Sequence, residues 1–101
     1  MAKYNKLVRD KIPEMLDKKG ISYEKRVASK GEYKVELIKK LNEEVMEFTE
    51  EESVEELADV MEVLEALRQF PEYNDAEKIR IKKFKERGGF NKRIILKGEK
   101  G

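Results

Sequence analysis

The sequence predicts an all-α protein: an antiparallel helical hairpin with flanking helices, in which dimerisation completes a four-helix-bundle core. Two observations predict this class. Apolar residues recur every three to four positions through the middle of the chain, which is the period of an amphipathic helix. With 101 residues, 39% of them hydrophobic and none of them Trp, a monomer buries little surface, and small domains commonly gain a core by oligomerising. We therefore expect a single domain over residues 1–101, assembled as a homodimer.

The first helix is expected within "KIPEMLDKKG", residues 11–20. Asp10 is the expected N-cap, Pro13 suits the first turn, and Gly20 suits the stop. After this helix, "ISYEKRVA" alternates apolar and polar residues and indicates extended chain. This segment could form a short β pairing with the apolar run at residues 94–96.

The two central helices form the predicted hairpin. The first spans Glu32 to about Glu50, with apolar residues at helical spacing. The second opens at Ser53, in the capping box "SVEE", and extends to Phe70, which precedes a proline. Because so few residues join the two helices, they must fold back antiparallel. A last helix is expected from a second capping box, "NDAE", which begins at Asn74, and the glycine pair at residues 88–89 would end it.

The charged residues are segregated along the chain. Residues 1–40 carry 12 basic and 6 acidic side chains, residues 41–77 carry 1 and 14, and residues 78–101 carry 10 and 2, although the net charge is only +1. An acidic centre between basic ends is typical either of salt bridging across the domain or of a cation site beside an anion site. A metal-bound phosphate substrate would use both kinds of site.

The residue types limit the available chemistry and the location. The chain has no Cys and no His, so disulfides, thiolate zinc sites and imidazole catalysis are excluded. The sequence has no apolar run long enough for a membrane span and no apolar core of a signal peptide, so we expect a cytoplasmic protein without a membrane partner. The acidic centre argues against a nucleic-acid partner, because phosphate backbones favour continuous positive surface.

Four carboxylates occupy matched positions across the predicted hairpin. In an antiparallel pair, residues whose numbers add to a constant lie at the same height, which pairs Glu44 with Asp59 and Glu47 with Glu56. All four lie within or at the edge of the apolar stripes. Facing carboxylates in a partly dry setting repel each other unless they are protonated or bind a cation. Mg²⁺, or alternatively Mn²⁺, is the expected cation because both prefer oxygen ligands. Helix capping alone would also explain Glu56.

The acidic motifs resemble those of a known superfamily. "EEVME", residues 43–47, followed by "EELAD", residues 55–59, resembles the EExxE and ExxD signature of the all-α nucleoside triphosphate pyrophosphohydrolases, which include MazG, phosphoribosyl-ATP pyrophosphohydrolase and the dimeric dUTPases. "YNKLVRDKIPE" and "ERGGFNKRIIL" resemble more narrowly the small phosphoribosyl-ATP pyrophosphohydrolase-like, MazG-related proteins. The gap between the two acidic motifs is shorter than is usual in the superfamily, which leaves little room for a specificity loop.

The resemblance implies a Mg²⁺-dependent hydrolysis between the α and β phosphates of a nucleotide, giving a monophosphate and pyrophosphate. By position, the implied metal ligands are Glu44, Glu47, Glu56 and Asp59, and Glu44 and Glu47 are the expected catalytic carboxylates. Fixed cations would stabilise the departing pyrophosphate. The candidates lie in the two terminal motifs: Lys6, Arg9, Lys11, Arg87, Lys92 and Arg93.

Two further interpretations stay open from the sequence. Lys40 is expected to form a salt bridge with the acidic cluster rather than to bind phosphate. A different class of function, a non-enzymatic helical dimerisation or regulatory module with paired acidic and basic surfaces, would explain the charge segregation without any catalysis.

Overall fold

The fold is taken from a computed structural model that describes residues 5–99. Within this range the protein is all-helical, as predicted, and contains four α-helices and one short 3-10 helix. The α-helices are α1 (Ile12–Lys18), α2 (Lys30–Glu51), α3 (Val54–Arg68) and α4 (Ala76–Arg87), and the 3-10 helix is Pro71–Tyr73.

The chain divides into two compact units, Met1–Leu67 and Arg68–Gly101. The first unit contains α1, α2 and nearly all of α3, and the second contains the 3-10 helix and α4. The expectation of one domain over residues 1–101 stays a prediction.

Helix α1 begins differently from the prediction. Lys11, not Asp10, occupies the N-cap position, and no side chain caps the helix there. Pro13 does lie in the first turn, where its missing amide is tolerated. Gly20 follows the helix with a positive φ of 71°, a conformation that glycine adopts without steric cost. The predicted stop is therefore confirmed, whereas the predicted cap is wrong.

Helix α2 begins two residues before the predicted start. The Ser29 hydroxyl accepts a hydrogen bond from the Glu32 amide at 3.2 Å, which is an N-cap contact. Arg26 donates two hydrogen bonds to the carboxylate of the same Glu32. These hydrogen bonds stabilise the N-terminus of α2. The residues between α1 and Ser29, for which extended chain was predicted, form no strand.

A two-residue turn connects α2 to α3 and completes the predicted hairpin. Glu52 adopts the left-handed conformation with φ of 51°, and its amide donates to the Phe48 carbonyl at 2.7 Å. The Ser53 hydroxyl accepts from the Glu56 amide at 3.2 Å, so the predicted cap is confirmed. The turn fixes which residues of the two helices face each other.

The first unit has a thin core. Among the described residues, Leu37 on α2 and Val63 on α3 are the buried hydrophobic side chains, and Glu44 is the buried charged one. Many large apolar side chains of the hairpin stay exposed, including Met46 and Met61. None of the helices formed by residues 5–99 has the length and apolarity that crossing a membrane requires.

Helix α4, in the second unit, begins differently from the prediction but ends as predicted. The N-cap is Asp75, without a side-chain hydrogen bond, so the capping box expected from Asn74 is not formed. Gly88 ends the helix with φ of 78°, as predicted. Residues 94–96 have no regular secondary structure. Because neither extended segment is a strand within residues 5–99, the expected β pairing is wrong.

Candidate functional site

Three carboxylates of the hairpin converge. One carboxylate oxygen from each of Glu44, Glu56 and Asp59 lies within 4.8 Å of the others. Glu44 comes from the second half of α2, whereas Glu56 and Asp59 lie in the first turns of α3. The hairpin register derived from the sequence predicted this convergence, because the short turn places the end of α2 beside the start of α3.

Two oxygens of this cluster are buried without a partner. Glu44 is only 7% exposed, and its Oε2 atom has no hydrogen-bond partner within residues 5–99; the same holds for Oε2 of Glu56. Buried polar atoms are nearly always hydrogen-bonded, so each exception requires an explanation, such as a catalytic role, a water molecule or an ion. Two acceptor oxygens beside a third carboxylate are suited to a cation with oxygen ligands.

The electrostatics of the cluster favour uptake of positive charge. Burial raises the pKa of Glu44; the nearby Glu47 carboxyl raises this pKa further, while Lys40 opposes the shift. Burial also raises the pKa of Glu56, and the negative charges of Glu47, Glu51 and Asp59 add to this effect. The ionised forms of Glu44 and Glu56 are therefore destabilised by their surroundings, and a bound proton or metal ion would relieve the repulsion.

Glu47 lies beside the cluster but is not one of the three converging residues. Its carboxyl is close enough to both Glu44 and Glu56 to raise the pKa of each. The group whose oxygens lie within 4.8 Å of one another is Glu44, Glu56 and Asp59. Glu47 as a fourth metal ligand and as a catalytic residue stays a prediction.

Two of the predicted phosphate-binding cations pair with acidic residues of the hairpin. Lys6 lies 3.0 Å from Glu43, and Arg9 lies 2.8 Å from Asp59. The hydrogen bond to Glu43 raises the pKa of Lys6 and lowers that of Glu43. The N-terminal motif therefore reaches the acidic cluster itself.

Lys40 forms the expected salt bridges. Its Nζ atom lies 3.6 Å from Glu43 and 3.3 Å from Glu44. The spacings of three and four residues along one helix bring such pairs together, which is why the sequence could predict them.

The other predicted cations lie at the start of α1 and in the second unit. Lys11 is an exposed residue at the N-terminus of α1. Arg87 is the last residue of α4, while Lys92 and Arg93 follow the glycine pair, and all three are exposed in the second unit. There Lys92 and Arg93 line a shallow surface pocket of about 280 Å³ together with Phe90, Ile94 and Ile95. Their role in phosphate binding stays a prediction.

The Arg9–Asp59 contact was not predicted from the sequence. The two residues are separated by 50 positions, so no local spacing relates them. Only the charge segregation pointed to contacts between the basic N-terminal block and the acidic centre, without naming the partners.

Comparison of the chain with protein-family models, curated proteins and solved structures gave no match.

Proposed function

We propose that the protein is a Mg²⁺-dependent nucleotide pyrophosphohydrolase, which cleaves a nucleoside triphosphate or phosphoribosyl-ATP between the α and β phosphates. The observation that carries the proposal is the convergence of Glu44, Glu56 and Asp59, with two buried oxygens that lack a hydrogen-bond partner among the described residues. The resemblance of the acidic motifs to the pyrophosphohydrolase signature supplies the reaction.

The balance of charge at the cluster supports a divalent ion. The carboxylates involved are Glu43, Glu44, Glu47, Glu56 and Asp59, and the cations paired with them are Lys6, Arg9 and Lys40. With every group ionised, two negative charges remain uncompensated. One Mg²⁺ or Mn²⁺ ion would neutralise them, and carboxylate oxygens are ligands that both ions accept.

The residues around the cluster fit the proposed chemistry. Glu44, Glu56 and Asp59 would hold the ion, which when bound lowers the pKa of a water molecule and polarises phosphate oxygens. Glu47, adjacent to two of these residues, would accept a proton from the water that attacks the α phosphorus. As the bond to the bridging oxygen breaks, nearby cations stabilise the charge on the pyrophosphate. Lys6 and Arg9, which contact Glu43 and Asp59, are the candidates in the first unit that contact the acidic residues.

We also propose a homodimer. Within the described residues, the hairpin exposes Val35, Met46, Val54 and Met61, each by more than half of its surface, while Leu37 and Val63 are its buried apolar residues. A second hairpin that covered these side chains would complete a four-helix core. A cytoplasmic location belongs to the same proposal, because nucleotides and Mg²⁺ are both abundant there.

The activity is tested with a panel of ribonucleotides, deoxyribonucleotides and phosphoribosyl-ATP in the presence of Mg²⁺, with separate assays of pyrophosphate and orthophosphate. Stoichiometric pyrophosphate and monophosphate are expected. Glu47→Gln should abolish turnover, whereas Glu55→Gln, which removes the same charge from an exposed position on α3, should not. Release of orthophosphate alone, or no turnover with any substrate, would refute the proposal.

The second candidate is a non-enzymatic helical module in which acidic and basic surfaces pair. The contacts of Lys6 with Glu43 and of Arg9 with Asp59 favour it, because they already join the basic N-terminal segment to the acidic hairpin. This alternative provides no reason for the buried oxygens of Glu44 and Glu56 that lack a hydrogen-bond partner within residues 5–99. Divalent-metal binding that depends on Glu44 separates the two candidates.

A further inference from the structure

Two ion pairs join the segment before α1 to the hairpin, and they differ in whether their carboxylate belongs to the converging group. Lys6 contacts Glu43, which lies beside the converging carboxylates but is not one of them. Arg9 contacts Asp59, which is one of them. The two pairs would therefore respond differently to a cation: only the Arg9 pair shares a carboxylate with the cation site.

Asp59 thus belongs both to an ion pair and to the group of converging carboxylates. Its Oδ1 atom accepts a hydrogen bond from Arg9 at 2.8 Å, and its carboxylate is also within 4.8 Å of oxygens from Glu44 and Glu56. A divalent ion at the cluster would place positive charge close to the Arg9 guanidinium and would draw electron density from the carboxylate that holds it. Both effects weaken the Arg9–Asp59 pair.

The Arg9–Asp59 pair is also weak enough to be exchanged. The side chains of Arg9 and Asp59 are 58% and 41% exposed, and solvent-exposed ion pairs contribute little to stability. Both side chains are therefore accessible to other charged partners. The Lys6–Glu43 pair involves none of the three converging carboxylates, so a cation bound there would not compete with it directly.

We propose that a divalent cation displaces Arg9 from Asp59, and that the released guanidinium then binds the phosphate groups of the substrate. Arg9 is in this way a phosphate-binding residue that couples the two ligands, because loading of the cation creates the anion site. A guanidinium suits this exchange because its fork of donors fits carboxylate and phosphate oxygens alike. The inference rests on the proposed cation site and adds to it the order of binding, cation before phosphate.

The exchange predicts opposite effects of one substitution on the two ligands. Arg9→Gln removes the competitor for Asp59, so Mg²⁺ affinity should rise roughly two- to fivefold, the range expected from an exposed ion pair. The same variant lacks the phosphate ligand, so the Mg²⁺-loaded protein should bind pyrophosphate at least about fivefold more weakly, the lower end of ordinary coupling between sites. An Arg9 that only anchored the segment would also compete for Asp59, but its loss would not weaken pyrophosphate binding in this way.

The test is isothermal titration calorimetry of the full chain, first with Mg²⁺ and then with pyrophosphate in saturating Mg²⁺. Chelation of pyrophosphate by Mg²⁺ is the same for every variant, so the ratios between variants report the contribution of the protein. Lys18→Gln is the matched control. It removes one positive charge from an exposed position in the same unit, where Lys18 pairs with none of the described cluster residues. Far-UV circular dichroism verifies that each variant is folded.

Tighter Mg²⁺ binding and weaker pyrophosphate binding in Arg9→Gln, both beyond the changes in Lys18→Gln, would support the exchange. Weakening of both ligands, or a Mg²⁺ affinity no higher than that of the control, would overturn the exchange and leave the proposed function standing. If the wild-type protein bound no divalent cation, the exchange and the proposed function would fail together. The experiment therefore distinguishes failure of the exchange alone from failure of the proposed function.

Discussion

Glu56→Gln provides the sharpest test of the cation site, because the structure predicts opposite effects with and without metal. The Oε2 atom of Glu56 is buried without a hydrogen-bond partner, and no cation within residues 5–99 pairs with its carboxylate. Burial and the charges of Glu47, Glu51 and Asp59 all raise its pKa. Removing this charge should therefore stabilise the metal-free protein at neutral pH. The same change removes one of the three converging ligands, so it should weaken metal binding.

The expected size of the metal effect follows from linkage. At a Mn²⁺ concentration ten times the Kd, binding to the native state adds about 1.4 kcal/mol to the free energy of unfolding. For a domain of this size that raises the Tm by roughly 6–11 °C. At the same Mn²⁺ concentration, a site weakened tenfold adds only about 0.4 kcal/mol, or roughly 2–3 °C.

Thermal unfolding followed by circular dichroism measures both effects, since the chain has no Trp for fluorescence. Protein concentration must be fixed, because the Tm of a dimer depends on it. Glu55→Gln makes the same charge change at an exposed position on α3 and should retain the full Mn²⁺ shift. A Glu56→Gln variant that melts below the wild type without metal, or that keeps the full Mn²⁺ shift, would refute the reasoning.

Three other predictions concern the stability of the hairpin. Below pH 4.5, the ordinary pKa of Glu, Glu56→Gln should be no more stable than the wild type. As the pH rises from 4.5 through the raised pKa of the folded state, the advantage of the variant should grow, because in the wild type the unfolded carboxylate ionises before the folded one. Urea unfolding across this pH range measures the difference in the free energy of unfolding, and a difference that did not change with pH would contradict the prediction. Leu37→Ala should lower the free energy of unfolding by about 2–5 kcal/mol, because Leu37 is only 4% exposed. In urea unfolding, the control Ile38→Ala, which changes an exposed neighbour, should lose much less stability. Equal losses in the two variants would count against a core at Leu37. Glu52→Gly should raise the free energy of unfolding by roughly 0.5–1 kcal/mol, because a left-handed residue with a Cβ is strained; a destabilised variant would show that the Glu52 side chain matters more than its backbone.

The sequence predicted the hairpin and its acidic cluster because both depend on local signals. The apolar period of α2 and the Ser53 capping box defined two helices and a short turn. A fixed turn sets the register, so the amino-acid sequence was sufficient to place Glu44 and Asp59 at one height. Charge segregation likewise indicated that basic and acidic segments would meet.

The rest depends on tertiary contacts that spacing does not encode. The pairing of Arg9 with Asp59 joins residues 50 positions apart. Glu44 is buried whereas its neighbours along α2 are partly or fully exposed. This difference depends on how side chains pack around the hairpin. The cap expected at Asp10 and the box expected from Asn74 are absent, because several polar residues near a helix start compete for the cap and sequence alone does not rank them.

The two-residue turn at Glu52 and Ser53 has a consequence for how the acidic site could change over evolution. An inserted residue that lengthened α3 at its start would rotate every later side chain by about 100° and move it by about 1.5 Å, which would separate Glu56 and Asp59 from Glu44. Loss of the site would then require no change in any carboxylate. The length of this turn is therefore as much a determinant of the site as the acids, and homologous chains should tolerate substitution in the turn far better than insertion or deletion.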